Sequence, residues 1–192
     1  SLAVVSLYNS QPRYQFYRAE TAERKITSQM LHEVTPASIK IFHVGSIALI
    51  DGDDANLWER KFCELGEKGV ITSLDPNIRE LLVKNKHQYL DRLKRMSKYA
   101  KILKLSDEDL KYMRPEVSLG DAFDEICKAT KAGIVVLTMG EKGACVKAGE
   151  ISFEVSAAVC DPLVDTVGAG DTFMGTILAE INEKKVSAAT LS

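Results

Sequence analysis

The sequence has few of the features that mark membrane, secreted or nucleic-acid-binding proteins. None of its apolar runs approaches the roughly 20 residues that a membrane-spanning helix needs. The net charge is −2, so no excess of basic side chains favours nucleic acid or an anionic membrane surface as a partner. The first residues lack the basic-then-apolar order of a signal peptide. We therefore expect a cytoplasmic protein with neither nucleic acid nor membrane as partner.

Cysteine and histidine are scarce and scattered, which bears on metal and redox chemistry. The four cysteines and the three histidines form no pair or cluster with metal-ligand spacing. We expect free cysteines that pack as small apolar residues in a reducing compartment, structural or surface histidines, and no zinc site. These residues are Cys63, Cys127, Cys145, Cys160, His32, His43 and His87.

Two common phosphate-binding motifs are also missing. The dinucleotide fingerprint needs a third glycine three residues after the second, but the glycine that follows Gly168 and Gly170 is Gly175, two residues late. A P-loop needs Gly-Lys followed by Ser or Thr, and the chain contains no such sequence. Both absences count against a nicotinamide-dependent α/β enzyme, which is a weaker alternative reading of the chain.

Apolar strands that alternate with amphipathic helices predict the fold. IKIFHV, VITSLD, AKILKL and GIVVLT are apolar nearly throughout, as parallel strands covered on both faces are. The pattern predicts an α/β fold with a doubly wound, mainly parallel sheet. We predict strands at 2–8, 14–18, 40–44, 69–74, 100–104, 133–138, 143–148 and 151–156, and helices at 53–66, 86–97, 107–113, 119–131 and from 171.

Polar residues follow several of these strands. They are DPNIR (75–79), SDED (106–109), MGEKG (139–143) and the turn GAGD (168–171). Ligands of such sheets bind beyond the carboxyl ends of the strands, so these segments together predict a small-molecule phosphate site. Any one of them alone would be read as a turn or a helix cap.

The Gly-Ala-Gly-Asp turn leads directly into an apolar helix. Its small residues allow bare backbone to approach a ligand, and the N–H groups at the helix start favour an anion such as phosphate. The alternative is a tight loop whose Asp171 is only a first-turn acid that suits the helix dipole.

A family resemblance covers essentially the whole chain. Asp165-Thr-Val-Gly-Ala-Gly-Asp-Thr-Phe resembles the C-terminal signature of the ribokinase-like (PfkB-type) carbohydrate kinases. AVVSL, FYR, FHVGSIAL, SLDPNIR, ILKLSDEDL and VVLTMGEKGA occur in the order expected of the bacterial fructokinases of that family. The resemblance implies ATP-dependent phosphorylation of a sugar hydroxyl in a ribokinase-like fold, with fructose as the favoured sugar. It divides the chain into 1–36, part of a small β lid and its connection, and 37–192, an incomplete nucleotide-binding core.

The resemblance also implies roles for individual residues. Asp171 would accept the proton of the sugar hydroxyl, and the N–H groups of Gly168, Ala169 and Gly170 would hold the transferred phosphate. Residues expected to contact ATP are Thr138, Gly140, Gly143, Ser106, Asn77 and Gly170, and those expected to contact sugar are Arg79, Arg18 and Asp171. The alternatives are a hairpin turn at 138–143, a surface ion pair for Arg79 and a solvated strand-end position for Arg18.

Metal binding follows only from the resemblance. The family usually has Asn-x-x-Glu where this chain has Ser106 and Asp109, so Asp109 is a candidate contact to Mg²⁺. Asp165 and the carbonyl of Val167 match a monovalent-cation site, for K⁺, that part of the family has. Asp165 could instead simply cap its own loop.

Other readings remain open at this point. One is a 2-keto-3-deoxygluconate kinase, and another is a non-catalytic nucleotide-binding relative. A family member runs to about 300 residues, within the usual domain range, so we expect the N-terminal sugar-gripping strand and the C-terminal adenine pocket to be absent from this chain. We expect this chain by itself to bind nucleotide weakly and to bind sugar abnormally. A homodimer through the lid strands is also expected.

Overall fold

The computed structural model describes residues 1–8 and 11–191, which contain a two-stranded hairpin and a six-stranded sheet. The hairpin consists of β1 (Leu2–Tyr8) and β2 (Gln11–Tyr17), which pair antiparallel with Leu2 opposite Tyr17. It corresponds to the two predicted N-terminal strands, although β2 begins three residues earlier than the predicted 14–18. Several apolar side chains of the hairpin are exposed, namely Leu2, Val4, Val5 and Tyr17.

The larger sheet is mixed and mainly parallel, as predicted. Its strands are β3 (Ile41–Gly45), β4 (Ile71–Asp75), β5 (Ile102–Ser106), β6 (Ile134–Thr138), β7 (Ala144–Ala148) and β8 (Ile151–Val155). They follow one another across the sheet in chain order. The three pairings from β3 to β6 are parallel, and the pairings of β7 with β6 and β8 are antiparallel.

Helices fill the three connections between the parallel strands, and two further helices lie before β3 and after β8. In chain order the helices are α1 (Ser28–Glu33), α2 (Gly52–Glu67), α3 (Lys86–Ser97), α4 (Asp107–Met113), α5 (Leu119–Ala129) and α6 (Ala169–Glu183). Helix α1 is short and lacks a clear apolar period, and the sequence did not predict it. Helix α6 begins two residues before the predicted start at Asp171.

Each face of the sheet is covered by different helices. On one face, α2, α3 and α5 bury Phe62, Met96 and Phe123 in the main core. On the other, α6 buries Met174 and Ile181 in a second cluster with residues of β4 and β5. Coverage on both faces explains why the central strands are apolar nearly throughout. It confirms the doubly wound α/β prediction.

Among the described residues, no helix combines the length and the apolar character needed to cross a membrane.

Candidate functional site

An open cavity of about 750 Å³ lies at the carboxyl ends of β4, β5 and β6 and against the start of α6. It collects residues that are widely separated in the chain, because the parallel strands end at one edge of the sheet. Most of the residues that the sequence predicts for the site line it: Asn77, Arg79, Ser106, Thr138, Gly140, Gly143, Gly168, Ala169, Gly170 and Asp171.

A second cavity of about 800 Å³ opens at the opposite, amino-terminal edge of the sheet, beside α2 and the end of α6. Its walls hold scattered side chains such as His32, Lys61 and Asn182, and none of the predicted site residues. Because α/β sheets bind ligands at the carboxyl edge, we take the first cavity as the candidate site.

The start of α6 presents bare backbone to this cavity. Gly168, at the N-cap, has a φ of +77°, which glycine adopts without strain, and no side chain caps the helix. The N–H of Ala169 donates to the Thr166 carbonyl at 3.2 Å. Within the described part of the chain, the N–H groups of Gly168, Gly170 and Asp171 have no acceptor. Free donors at the positive end of a helix dipole make an anion cradle here.

A buried ion pair lies beneath this turn. Lys104 on β5 and Asp75 on β4 are 4% and 3% exposed, and Lys104 Nζ lies 3.0 Å from Asp75 Oδ2. A Cβ atom added to Gly170 would lie 3.3 Å from Lys104 Nζ, so the ammonium group packs directly against the first turn of α6. Lys104 also lines the cavity. The sequence reading missed it, since a lysine inside ILKL looks like an interruption in an apolar strand.

Burial dominates the electrostatics of Asp75. It raises the pKa of the Asp75 carboxyl to about 6, although the Lys104 ammonium acts in the opposite direction. The second oxygen, Oδ1, is buried and finds no hydrogen-bond partner among the described residues. The carboxylate is therefore a costly group in this position, and Lys104 is its main compensation.

A second polar contact, between β3 and β4, lies on the side of the sheet that faces α6. His43 Nδ1 on β3 lies 3.0 Å from Ser73 Oγ on β4, in register with it. Desolvation lowers the pKa of His43; Lys104 acts in the same direction, and Asp171 opposes it. The side chains of β3, β4 and β5 that face α6 are thus polar near its N-terminus and apolar further along.

Asp109 connects the two polar turns at the mouth of the cavity. Its Oδ1 accepts from the Ile78 N–H at 2.7 Å, and its Oδ2 accepts from the Ser106 N–H at 2.8 Å. The Ser106 hydroxyl in turn accepts from the Asp109 N–H at 3.0 Å, which completes a capping box at the start of α4. Asp109 is 2% exposed and does not line the cavity. Its carboxylate therefore holds the Asn77–Arg79 turn against Ser106.

The predicted nucleotide loop forms the tight connection between β6 and β7. The Met139 N–H donates to the Gly143 carbonyl at 2.8 Å, and Gly143 has a φ of +90°. A Cβ at Gly143 would lie 2.0 Å from the Val155 carbonyl oxygen of β8. This position therefore requires glycine both for its dihedral angle and for the close approach of β8.

Besides Asp109, three predicted residues do not line the cavity, namely Arg18, Asp165 and Val167. Arg18 Nε donates to Glu23 Oε1 at 2.8 Å, and its guanidinium lies 3.9 Å from buried Asp54. Asp165 Oδ1 accepts from the Val167 N–H at 2.9 Å, so it caps its own loop. The sugar contact of Arg18 and the cation site of Asp165 and Val167 stay predictions.

No group of three potential metal-ligating side chains occurs in residues 1–8 and 11–191. This is compatible with Mg²⁺ that arrives with a nucleotide, because such an ion is held by phosphates and one or two carboxylates. The role predicted for Asp109 toward Mg²⁺ stays a prediction, since both of its oxygens accept from backbone N–H groups here.

Comparison with known proteins gives a family and a fold. The family model for the pfkB family carbohydrate kinases matches residues 1–191. A fructokinase from Rhizobium leguminosarum bv. trifolii is 36% identical over 181 residues, which cover 94% of this chain and 54% of that protein. The chain thus spans about half the length of the curated relatives that it matches.

Two solved structures illustrate the similarity of fold. A fructokinase from Xylella fastidiosa with bound ATP is 24% identical, with a TM-score of 0.85 over 98% of this chain and 58% of that one. The apo form of a fructokinase from Vibrio cholerae O395 is 27% identical, with a TM-score of 0.75 over 93% of this chain and 60% of that one.

Proposed function

The chain belongs to the pfkB family of carbohydrate kinases, and from that premise we propose that the full-length protein is an ATP-dependent sugar kinase with fructose as its substrate. The observation that carries the proposal is the start of α6. Free N–H groups, an acidic side chain and a buried lysine meet there at one cavity, together with Arg79. The identity of 36% to a fructokinase supports fructose as the acceptor.

The donors of the cavity fit a polyphosphate. The N–H groups of Gly168, Gly170 and Asp171 and the ammonium of Lys104 supply positive charge without a bulky side chain between them and the ligand. Arg79 adds a planar guanidinium, which suits phosphate oxygens. Mg²⁺ bound with ATP would screen the phosphate charge.

Asp171 has the position required of a general base. It is exposed at the third residue of α6, beside the backbone cradle, and lines the cavity. In the proposed reaction the sugar oxygen bonds to the γ-phosphorus as the bond from that phosphorus to the leaving ADP breaks. The hydroxyl proton passes to the Asp171 carboxylate. The N–H groups of Gly170 and Asp171 stabilise the charge that develops on the phosphoryl oxygens.

The proposal has two further parts, a homodimer and a monovalent-cation site. The exposed apolar side chains of β1 and β2 support a homodimer through the lid strands. A monovalent-cation site at Asp165 and Val167 rests on the match of the loop to the family signature. Sedimentation of the full-length protein tests the dimer, and the potassium dependence of turnover tests the cation site.

A coupled assay for ADP tests the activity. The full-length protein would be supplied with ATP and, separately, with fructose, ribose or 2-keto-3-deoxygluconate. We expect turnover with fructose to exceed turnover with the other two sugars. Turnover with 2-keto-3-deoxygluconate alone would contradict the assignment of fructose as the substrate. ATP binding without turnover on any sugar would favour a non-catalytic relative.

A further inference from the structure

The proposed reaction so far gives Lys104 only a general positive charge at the cavity and gives Asp75 no role. A lysine that is 4% exposed is unusual, because an ammonium group is rarely buried without a reason in structure or function. Here it points across the sheet edge to the first turn of α6, where Gly170 leaves room for it.

The Lys104 ammonium has more N–H donors than acceptors among the described residues. A lysine ammonium carries three N–H donors, and Asp75 Oδ2 is the only acceptor found for it among the described residues. Lys104 lines the cavity whereas Asp75 does not. The pair is therefore a dipole whose positive end faces the cavity and whose negative end lies deeper in the sheet.

The backbone donors of α6 lie on the same side. The free N–H groups of Gly170 and Asp171 belong to the turn against which Lys104 Nζ packs. A phosphate that accepts from these N–H groups would therefore lie close to the ammonium. Hydrogen bonds to a charged partner contribute more than those between neutral groups, and a pre-positioned cation requires no rearrangement on binding.

We propose that Lys104 binds the transferred phosphate from beneath the start of α6, and that Asp75 is a positioning residue that holds the ammonium there. The proposal rests on the proposed kinase function for the identity of the anion. It assigns this buried pair a ligand contact, whereas a purely structural pair would only join β4 to β5.

The test compares nucleotides that differ only in phosphate number. Calorimetry on the full-length protein would give dissociation constants for ATP and for AMP. In Lys104→Met we expect affinity for ATP to fall by roughly 10- to 100-fold, the equivalent of one charged hydrogen bond, while affinity for AMP stays constant. Lys61→Met is the matched control, because Lys61 is also mostly buried and lies 3.6 Å from a carboxylate, but at the far edge of the sheet.

Two further variants separate binding from folding. Lys104→Met leaves Asp75 without a partner, so that variant could unfold. Replacing both residues, Asp75→Asn with Lys104→Met, should restore the thermal midpoint but leave the preference for ATP over AMP lost. Asp75→Asn alone keeps the Lys104 ammonium but removes the carboxylate that positions it. The preference of this variant for ATP over AMP should lie between those of the wild type and Lys104→Met.

Each outcome decides the question. If the double variant regains the full preference for ATP, Lys104 serves only to neutralise Asp75 and the proposal is wrong. If the wild type prefers ATP, loses that preference in Lys104→Met, and yet phosphorylates no sugar, the kinase function fails while the phosphate contact stands. Equal affinity of the wild type for ATP and AMP would overturn both.

Discussion

Replacing Asp109 with asparagine should weaken the fold and the site together. The Asp109 carboxylate accepts from Ile78 N–H at 2.7 Å and from Ser106 N–H at 2.8 Å, and it is 2% exposed. Asparagine has the same shape but only one acceptor oxygen. Its amide N–H₂ must therefore face one of these two N–H groups, and a buried donor is left without an acceptor.

The magnitude follows from what is lost. A hydrogen bond to a charged group contributes about 1.5–3 kcal/mol, and an unsatisfied buried donor adds about 1–3 kcal/mol. Allowing for relaxation of the turns, we expect the free energy of unfolding to fall by about 2–4 kcal/mol. In a protein of this size each kcal/mol lowers the thermal midpoint by about 2–4 °C, so the loss should be roughly 5–15 °C.

The assay combines calorimetry with kinetics on the full-length protein. Because the turn that carries Arg79 is anchored by this carboxylate, we also expect lower kcat/KM, which added Mg²⁺ does not restore. Asp121→Asn is the control: Asp121 occupies the same position at the start of α5 and accepts from the Ser118 hydroxyl at 2.6 Å, but it is exposed. An unchanged midpoint in Asp109→Asn, with a raised Mg²⁺ requirement for activity, would show that Asp109 is a metal ligand and refute this reasoning.

Three other variants test the remaining chemistry and strain. Asp171→Asn should reduce kcat by roughly 10²- to 10⁴-fold while ATP binding survives, and an unchanged kcat in steady-state assays would exclude the base assignment. Burial raises the pKa of Asp75 from 3.8 to about 6, so within that interval the folded protein keeps a proton that the unfolded chain has lost. The free energy of unfolding therefore falls as pH rises through the interval. Denaturation curves should therefore show that the free energy of unfolding of the wild type falls by up to about 3 kcal/mol relative to that of Asp75→Asn between pH 4 and pH 7. A difference between the two proteins that does not change with pH would contradict the raised pKa. Gly143→Ala should lower the thermal midpoint far more than Gly149→Ala, since both have positive φ but only Gly143 lacks space for a Cβ; equal losses would mean that β8 moves aside.

Much of the fold could be predicted from local pattern. The apolar segments from IKIFHV to GIVVLT are strands in the structure, and the four long amphipathic helices lie close to their predicted bounds. Helix α1 was missed because it has only six residues, too few to show a helical period. The polar segments after the strands do meet at one cavity, since parallel strands with helical crossovers must end at the same edge.

Other assignments depended on pairings that no local pattern reveals. No local pattern shows that Arg18 pairs with Glu23 and lies near Asp54, away from the cavity, and its contact with sugar stays a prediction. Lys104 was overlooked because a strand sequence does not show which neighbour a buried charge will meet.

The sequence by itself determined the strands, the helices and the Gly-Ala-Gly-Asp turn, because these depend on neighbouring residues and on backbone freedom. Only the tertiary structure decided that Asp109 holds the turn 31 residues before it, and that Lys104 meets both Asp75 and the start of α6. Such contacts depend on the register of β4 against β5 and on the packing of α6 over them. They form only when the whole sheet assembles, and burial then holds Lys104 and Asp75 as an ion pair beside the cavity.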